Sequence, residues 1–158
     1  MVNNGFEIRN ATEADIEQIM EITGSAFVKY KELAGTQHSL AALNETRETV
    51  AEDIKNKLVL VAYINGKVVG SVRVEVNGET AYLSRFGVSP DYQNLGIGKA
   101  LMNLVDINMK VLGVKQLQLH TASKIKSLVC FYYGRGFYID STSKERDYIR
   151  AFLCKDYD

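Results

Sequence analysis

The chain is 158 residues long, 46% hydrophobic and 24% charged, an ordinary globular mixture of about one domain's length that excludes a disordered or fibrous polymer. Nineteen Lys and Arg balance nineteen Asp and Glu, so the totals give no electrostatic case for a nucleic-acid partner. The longest apolar run, Leu58 to Ile64 with Tyr63 inside it, falls far short of the ~20 residues that span a bilayer, and Met1–Glu13 lacks the charged start and apolar core of a signal peptide. Cys130 and Cys154 make neither a disulfide framework nor a zinc pattern, and both sit among apolar neighbours, which predicts buried, reduced thiols. The expectation is a soluble, cytoplasmic protein with one domain over 1–158, no metal and no membrane contact.

Phe6–Arg9 reads as a short strand. Thr12 followed by Asp15 resembles a capping box, and Ile16, Ile19, Met20, Thr23 and Phe27 then recur at helical spacing. Lys29–Ser39 is polar and contains glycine, which predicts a loop or a broken helix, and Ser39 to Lys55 reads as a second helix. Lys57–Ile64, Lys67–Val76 and Thr80–Val88 are rich in Val, Ile, Leu and Tyr and are separated by Asn65–Gly66 and Asn77–Gly78. Asn-Gly suits the left-handed positions of a tight hairpin turn, so these three make an antiparallel meander.

Beyond Pro90 the period changes to that of a helix. Ala100, Leu101, Leu104, Val105, Met109 and Leu112 mark one helix face, stopped by Gly113. Gln116–His120 is a strand, Ile125 to Tyr133 a helix, and Phe137–Asp140 and Tyr148–Cys154 two final strands. The order makes an α+β fold with a strand–helix–strand unit after Val88.

The segment from Val88 to Lys99 joins a strand to a helix and carries Gly96 and Gly98. Glycines there leave the backbone open where the first N–H groups of the helix have no internal partner, an arrangement suited to an anion such as a pyrophosphate. An ordinary glycine turn is the alternative. A dinucleotide fingerprint fails, because Leu101 stands where the third glycine is needed. A Walker A loop fails at Gln93 and Ala100.

The run Gln93-x-x-Gly96-x-Gly98, after Val88-x-Pro90 and before an apolar helix, resembles the acetyl-CoA signature of the GNAT N-acetyltransferases. A second motif, Phe131-Tyr132-Tyr133-Gly134-Arg135-Gly136-Phe137, is similar to that family's Phe-Tyr-x-x-x-Gly-Phe ending, and the element order agrees from Phe6 to Leu153. The resemblance implies a central, mixed and mostly antiparallel sheet flanked by helices. Its sheet would splay between the strand ending at Val88 and the strand ending at His120, and acetyl-CoA, as co-substrate, would lie in that cleft. The backbone of Phe86, Gly87 and Val88 would bond the pantetheine arm, and the loop Asn94, Leu95, Gly96, Ile97, Gly98 and Lys99 would hold the pyrophosphate. Lys99 would add a charge contact or remain a solvated first-turn lysine. Many relatives carry an asparagine seven residues before the tyrosine, and Ile125 stands there in this chain.

The implied reaction is direct transfer to a primary amine of a small molecule or peptide in a ternary complex. An amine of pKa ~10.4 must lose a proton at pH 7, at a cost of about 4.6 kcal/mol, and the departing thiolate gains from a proton donor. Tyr132 matches the family's tyrosine that protonates the thiolate. His120 stands where some relatives place a catalytic glutamate; it would be the base or a structural residue bonded to backbone carbonyls. Glu75 on the meander, or a chain of waters, is the alternative base. Tyr30, Glu32, His38, Arg73, Tyr82, Ser84 and Arg85 are candidates for the acceptor side. Homodimers are common in the family. The rival reading is a non-catalytic module that binds CoA as a sensor or docking domain.

Overall fold

The two Asn-Gly turns organise the centre of the molecule, and the computed structural model shows how; it describes residues 5–37 and 40–158. Strands β2 (Leu58–Ile64), β3 (Lys67–Asn77) and β4 (Thr80–Val88) pair antiparallel as a meander. At the first turn Asn65 and Gly66 both take positive φ, 50° and 80°, the pair of left-handed positions a two-residue hairpin requires. Strand β1 (Glu7–Asn10) adds to β2, and β5 (Gln116–Ala122), β7 (Arg150–Asp156) and β6 (Tyr138–Ser143) extend the other side. The result is a seven-stranded sheet in the order β1-β2-β3-β4-β5-β7-β6, antiparallel everywhere except between β4 and β5. This is the mixed, mostly antiparallel α+β architecture that the sequence predicts.

Alternation along the strands sends side chains to two helical layers. One face of the sheet, with Leu60, Ala62, Val72, Val74 and Leu83, packs on helix α3 (Ile97–Val111) through Ile97, Leu101, Met102, Val105 and Met109. Helix α4 (Lys126–Gly134) joins this core through Tyr132. The opposite face, with Val59, Val61 and Val68, packs on Ile16, Ile19 and Ile22 of α1 (Ile16–Ala34) and Val50 of α2 (Arg47–Asn56). Among the described residues, no helix is long and apolar enough to cross a membrane.

The entry to α1 follows the sequence closely. Thr12 N–H donates to Asp15 Oδ2 at 2.8 Å, and Arg9 clamps the same carboxylate at 2.6 and 2.9 Å. The Arg9 guanidinium and these bonds hold the Asp15 carboxyl below the usual carboxylate range.

Three expectations need correction. The helix does not stop near Phe27: α1 runs on to Ala34 and ends at Gly35, whose φ of 71° is the left-handed C-terminal stop. Tyr30 and Ala34 continue the buried stripe by packing near Ile125 and Tyr148, which outweighs the polar composition of Lys29–Glu32. The single helix read from Ser39 to Lys55 is two elements, a 3-10 turn at Ala41–Asn44 and α2 proper. Thr46 divides them, because its side chain accepts from Thr49 N–H while Thr49 Oγ1 accepts from Thr46 N–H, fixing a new helix start. Cys154 is buried but Cys130 is exposed, since it lies on the outer side of α4 while Tyr132 faces inward.

Candidate functional site

The sheet opens where β4 and β5 diverge. Their parallel pairing covers only Thr80–Gln116, Ala81–Leu117 and Tyr82–Gln118. Beyond it, Leu83 to Val88 continue along β3 without a partner on the other side, while Leu119 to Ala122 continue along β7. The side of β4 that turns away from β3 therefore presents unpaired backbone N–H and C=O groups, as an edge strand does.

A bulge turns this edge. Gly87 pairs with Ser71 and Ser84 pairs with Arg73, so Arg85 and Phe86 together oppose Val72. Arg85 takes a φ of 53° to absorb the extra residue. Phe86 stacks on Phe131 with ring centroids 5.5 Å apart.

Opposite this edge stands the start of α3. Gly96 takes a φ of 81° as the residue before the helix and Asn94 a φ of 66°, so the loop uses two left-handed positions. Gln93 Nε2 closes the loop by donating to Val88 O at 3.0 Å. The first N–H groups of α3, at Ile97, Gly98 and Lys99, point out of the helix start without intrahelical partners. A cleft of about 600 Å³ lies between the two, lined by Phe86, Gly87, Val88, Asn94, Gly96, Ile97, Gly98, Lys99 and, from α1 and α4, Phe27, Tyr30 and Phe131. It thus holds every expected cofactor-side residue except Leu95, which lies on the exposed outside of the loop.

A second, smaller cavity of about 230 Å³ shares Phe27, Tyr30, Phe86 and Leu128 with the first as common wall. Tyr132 and His120 both line it. Tyr132 is buried, with its ring edge-on to Phe131 and Phe137, and burial pushes its phenol well above the ordinary range, so it is protonated at neutral pH. His120 Nδ1 lies 2.7 Å from Tyr82 Oη. Partial burial, and then the charges of Arg150 and Arg146, hold the imidazole below its usual value, which keeps it neutral.

Residues 24–153 match the family described as the acetyltransferase (GNAT) domain. The chain belongs to the GNAT acetyltransferase family. It is similar to a mycothiol acetyltransferase of Propionibacterium freudenreichii, 26% identical over 147 residues that cover 87% of this chain and 45% of that one. The present chain thus spans less than half of that relative. It is also similar to the spermidine N(1)-acetyltransferase of Thermoplasma acidophilum, 23% identical over 87% of this chain and 91% of the relative. A crystal structure of the PaiA N-acetyltransferase of Thermoplasma acidophilum with coenzyme A has the same fold, with a TM-score of 0.82 at 21% identity over 96% of this chain and 99% of that one.

This GNAT acyltransferase departs from some expectations for the acceptor side. Tyr30, Tyr82, Ser84 and Arg85 do line the second cavity. Arg73 does not: it is wholly buried between sheet and helices, where Nη1 and Nη2 donate to Glu45 at 2.5 and 2.8 Å and Nη1 also reaches Asp53 at 3.0 Å. Its role is to join β3 to α2 and the segment before it. Glu32 and Glu75 are exposed and line neither cavity. Glu75 points to solvent beside Tyr82, at the closed end of the sheet. His38 lies outside the described residues. Ile125, in place of the asparagine common in the family, is buried and lines the first cleft as an apolar wall.

Arg146, Tyr148 and Arg150, which also line the second cavity, are among the residues that the sequence does not single out. The available signal was the cluster Lys144 to Arg150 next to a strand, which reads equally as a solvated hairpin tip. Among the described residues, no group of three or more His, Cys, Asp and Glu is placed to hold a metal.

Proposed function

We propose that the protein transfers an acetyl group from acetyl-CoA to a primary amine, directly, within a ternary complex. The observation that carries this reading is the parting of β4 and β5 opposite the glycine-opened start of α3. A freed strand edge offers N–H and C=O groups to the amides of a pantetheine arm, in the manner of an added strand. The helix start offers unpaired N–H groups and the positive end of a dipole to a pyrophosphate. The two lie on one cleft of about 600 Å³, enough for a large, flexible ligand.

Chemistry would take place where the two cavities meet. The free amine attacks the thioester carbonyl carbon, a C–N bond forms, and the carbonyl oxygen takes up negative charge. Backbone N–H groups of Phe86–Val88 that face away from β3, just beyond the bulge at Arg85 and Phe86, are available to that oxygen. As the C–S bond breaks, Tyr132 Oη–H supplies the proton that the thiolate needs, a role for which a buried, protonated phenol is suited. The proton lost by the amine passes to His120 Nε2. For Nε2 to be free to accept it, the neutral ring carries its own proton on Nδ1 and donates Nδ1–H to Tyr82 Oη, so Tyr82 orients the imidazole for the task. Lys99, in the first turn of α3, adds a positive charge beside the pyrophosphate.

The test is thiol release from acetyl-CoA with a broad panel of amines, comparing the natural protein with Tyr132→Phe. Amine-dependent release that falls at least tenfold in the variant supports the reading. Tight acetyl-CoA binding by calorimetry with no release on any amine would favour a non-catalytic CoA-binding module.

A further inference from the structure

The second cavity is cationic. Its lining includes three cations, Arg85, Arg146 and Arg150, beside the neutral ring of His120, and, among the described residues, no Asp or Glu. These cations differ in how far they are already neutralised. Arg85 Nε lies 3.3 Å from Glu45 Oε2, on a carboxylate that also serves Arg73. Arg146 and Arg150 form no ion pair among the described residues. The acids beside them in sequence are engaged or exposed. Asp147, between them in sequence, accepts from Thr36 Oγ1 and from Gln37 N–H, the latter at 2.7 Å, and so is tied to the end of α1. Glu145 is exposed and does not line the cavity.

Two unpaired guanidinium groups at the mouth of a cavity with no carboxylate make a poor seat for a polycation and a good one for a planar anion, which arginine binds through two parallel N–H bonds. The cavity itself, about 230 Å³, is below the ~300–1,000 Å³ of a drug-sized ligand site and fits a small molecule. We propose that the acceptor is a small amine bearing an anionic group, a carboxylate or phosphate, which Arg146 and Arg150 hold while its amine reaches His120 and Tyr132. This specificity rests on the acetyltransferase reading above. Positive charge on the same wall also repels a protonated amine and favours the free base that must attack.

The experiment uses matched pairs of acceptors: glycine against glycinamide, O-phosphoethanolamine against ethanolamine, and spermidine as the polycation. The expected result is a kcat/KM at least about tenfold higher for one anionic member than for its uncharged partner, with spermidine lowest. The pair that shows the preference tells carboxylate from phosphate. In Arg146→Gln and Arg150→Gln that preference collapses toward one. Equal or better turnover of the uncharged amines or of spermidine overturns the proposal, as does a preference that survives both substitutions. A second measurement needs no turnover: calorimetric binding of N-acetylglycine and N-acetylglycinamide to the protein saturated with CoA. If no amine is turned over but N-acetylglycine binds and Arg150→Gln weakens it about tenfold, the catalytic reading fails and the anion site stands. If turnover is found and neither the substrates nor the products discriminate by charge, the enzyme reading stands and the anion site is rejected.

Discussion

Tyr82 Oη and His120 Nδ1 meet at 2.7 Å across the last point at which β4 and β5 are still neighbours. One partner comes from each strand of the opening pair, so the hydrogen bond spans the apex of the cleft and fixes the imidazole at the edge of the second cavity. Phe152, directly opposite His120 on β7, packs on the other side of the ring at 4.9 Å between centroids.

The electrostatics of that ring set a pH dependence. Burial and then Arg150 and Arg146 lower the His120 pKa, while Glu145 opposes them, so the folded value lies below the ordinary 6.5. If His120 accepts the amine proton, the acid limb of kcat/KM falls below pH 6.5, and Arg150→Gln moves it upward. NMR titration of the His120 ring protons gives the same shift independently of turnover. The sign for stability follows: the contribution of the neutral ring is present above about pH 6.5 and is lost as pH drops through the folded value. An acid limb unchanged in both His120→Gln and Arg150→Gln would assign the proton to another group.

Tyr132→Phe separates chemistry from packing. The hydroxyl forms no hydrogen bond among the described residues, and the ring is held by Phe86, Phe131 and Phe137. Removing the oxygen therefore leaves the core filled, and the melting temperature is expected to stay within a few degrees. The rate is expected to fall by ~10²-fold or more if the phenol protonates the thiolate. Equal rates for variant and natural protein, with acetyl-CoA affinity intact, would remove Tyr132 from the reaction.

How much of this was legible in the sequence depends on the range of the interactions. The meander was readable because Asn65–Gly66 and the alternation of Val, Ile and Leu are local signals, and the glycine loop because Gly96 must take a left-handed turn whatever surrounds it. The length of α1 was not, since the stripe through Tyr30 and Ala34 is buried by Ile125 and Tyr148, more than ninety residues away. For the same reason Arg73 could be mistaken for a substrate residue. Its charge was visible, but Glu45 and Asp53, which enclose it, come from other elements. Arg146 and Arg150 were overlooked in the opposite way, as the polar end of a hairpin that the β7–β5 pairing carries to the cavity.

The Arg73 cluster makes a stability prediction distinct from catalysis. Arg73→Met removes the partner of Glu45 and of Asp53 and leaves part of that negative charge uncompensated where water is scarce. Breaking a buried pair in this way typically costs about 3–5 kcal/mol, or a fall in Tm of roughly 6–20 °C for a chain of this size. Arg73→Lys is expected to recover little, because a single ammonium cannot match the two-point contact at 2.5 and 2.8 Å with Glu45. Thermal denaturation of both variants checks this, and a Tm within 2–3 °C of the natural protein would show that the cluster relaxes or hydrates instead.

Gly87 carries a constraint that its place in a motif does not reveal. A Cβ built there would lie 2.7 Å from the Ala26 Cβ of α1, so even alanine must push the helix away from β4. The backbone conformation is not the obstacle, since Gly87 has no positive φ. The obstacle is the closeness of α1, whose Ala26 and Phe27 also wall the first cleft. Overpacking of this kind costs typically about 1–3 kcal/mol. Displacement of α1 also changes the width of the cleft beside Phe86 and Val88. Gly87→Ala is therefore expected to weaken acetyl-CoA binding and lower Tm together. The double variant Ala26→Gly with Gly87→Ala, which moves the methyl group from helix to strand, is expected to restore much of the affinity despite the cost of a helical glycine. Calorimetric titration of acetyl-CoA into both proteins decides the matter: a double variant no better than the single one would mean that Gly87 serves the ligand directly and not the approach of the helix.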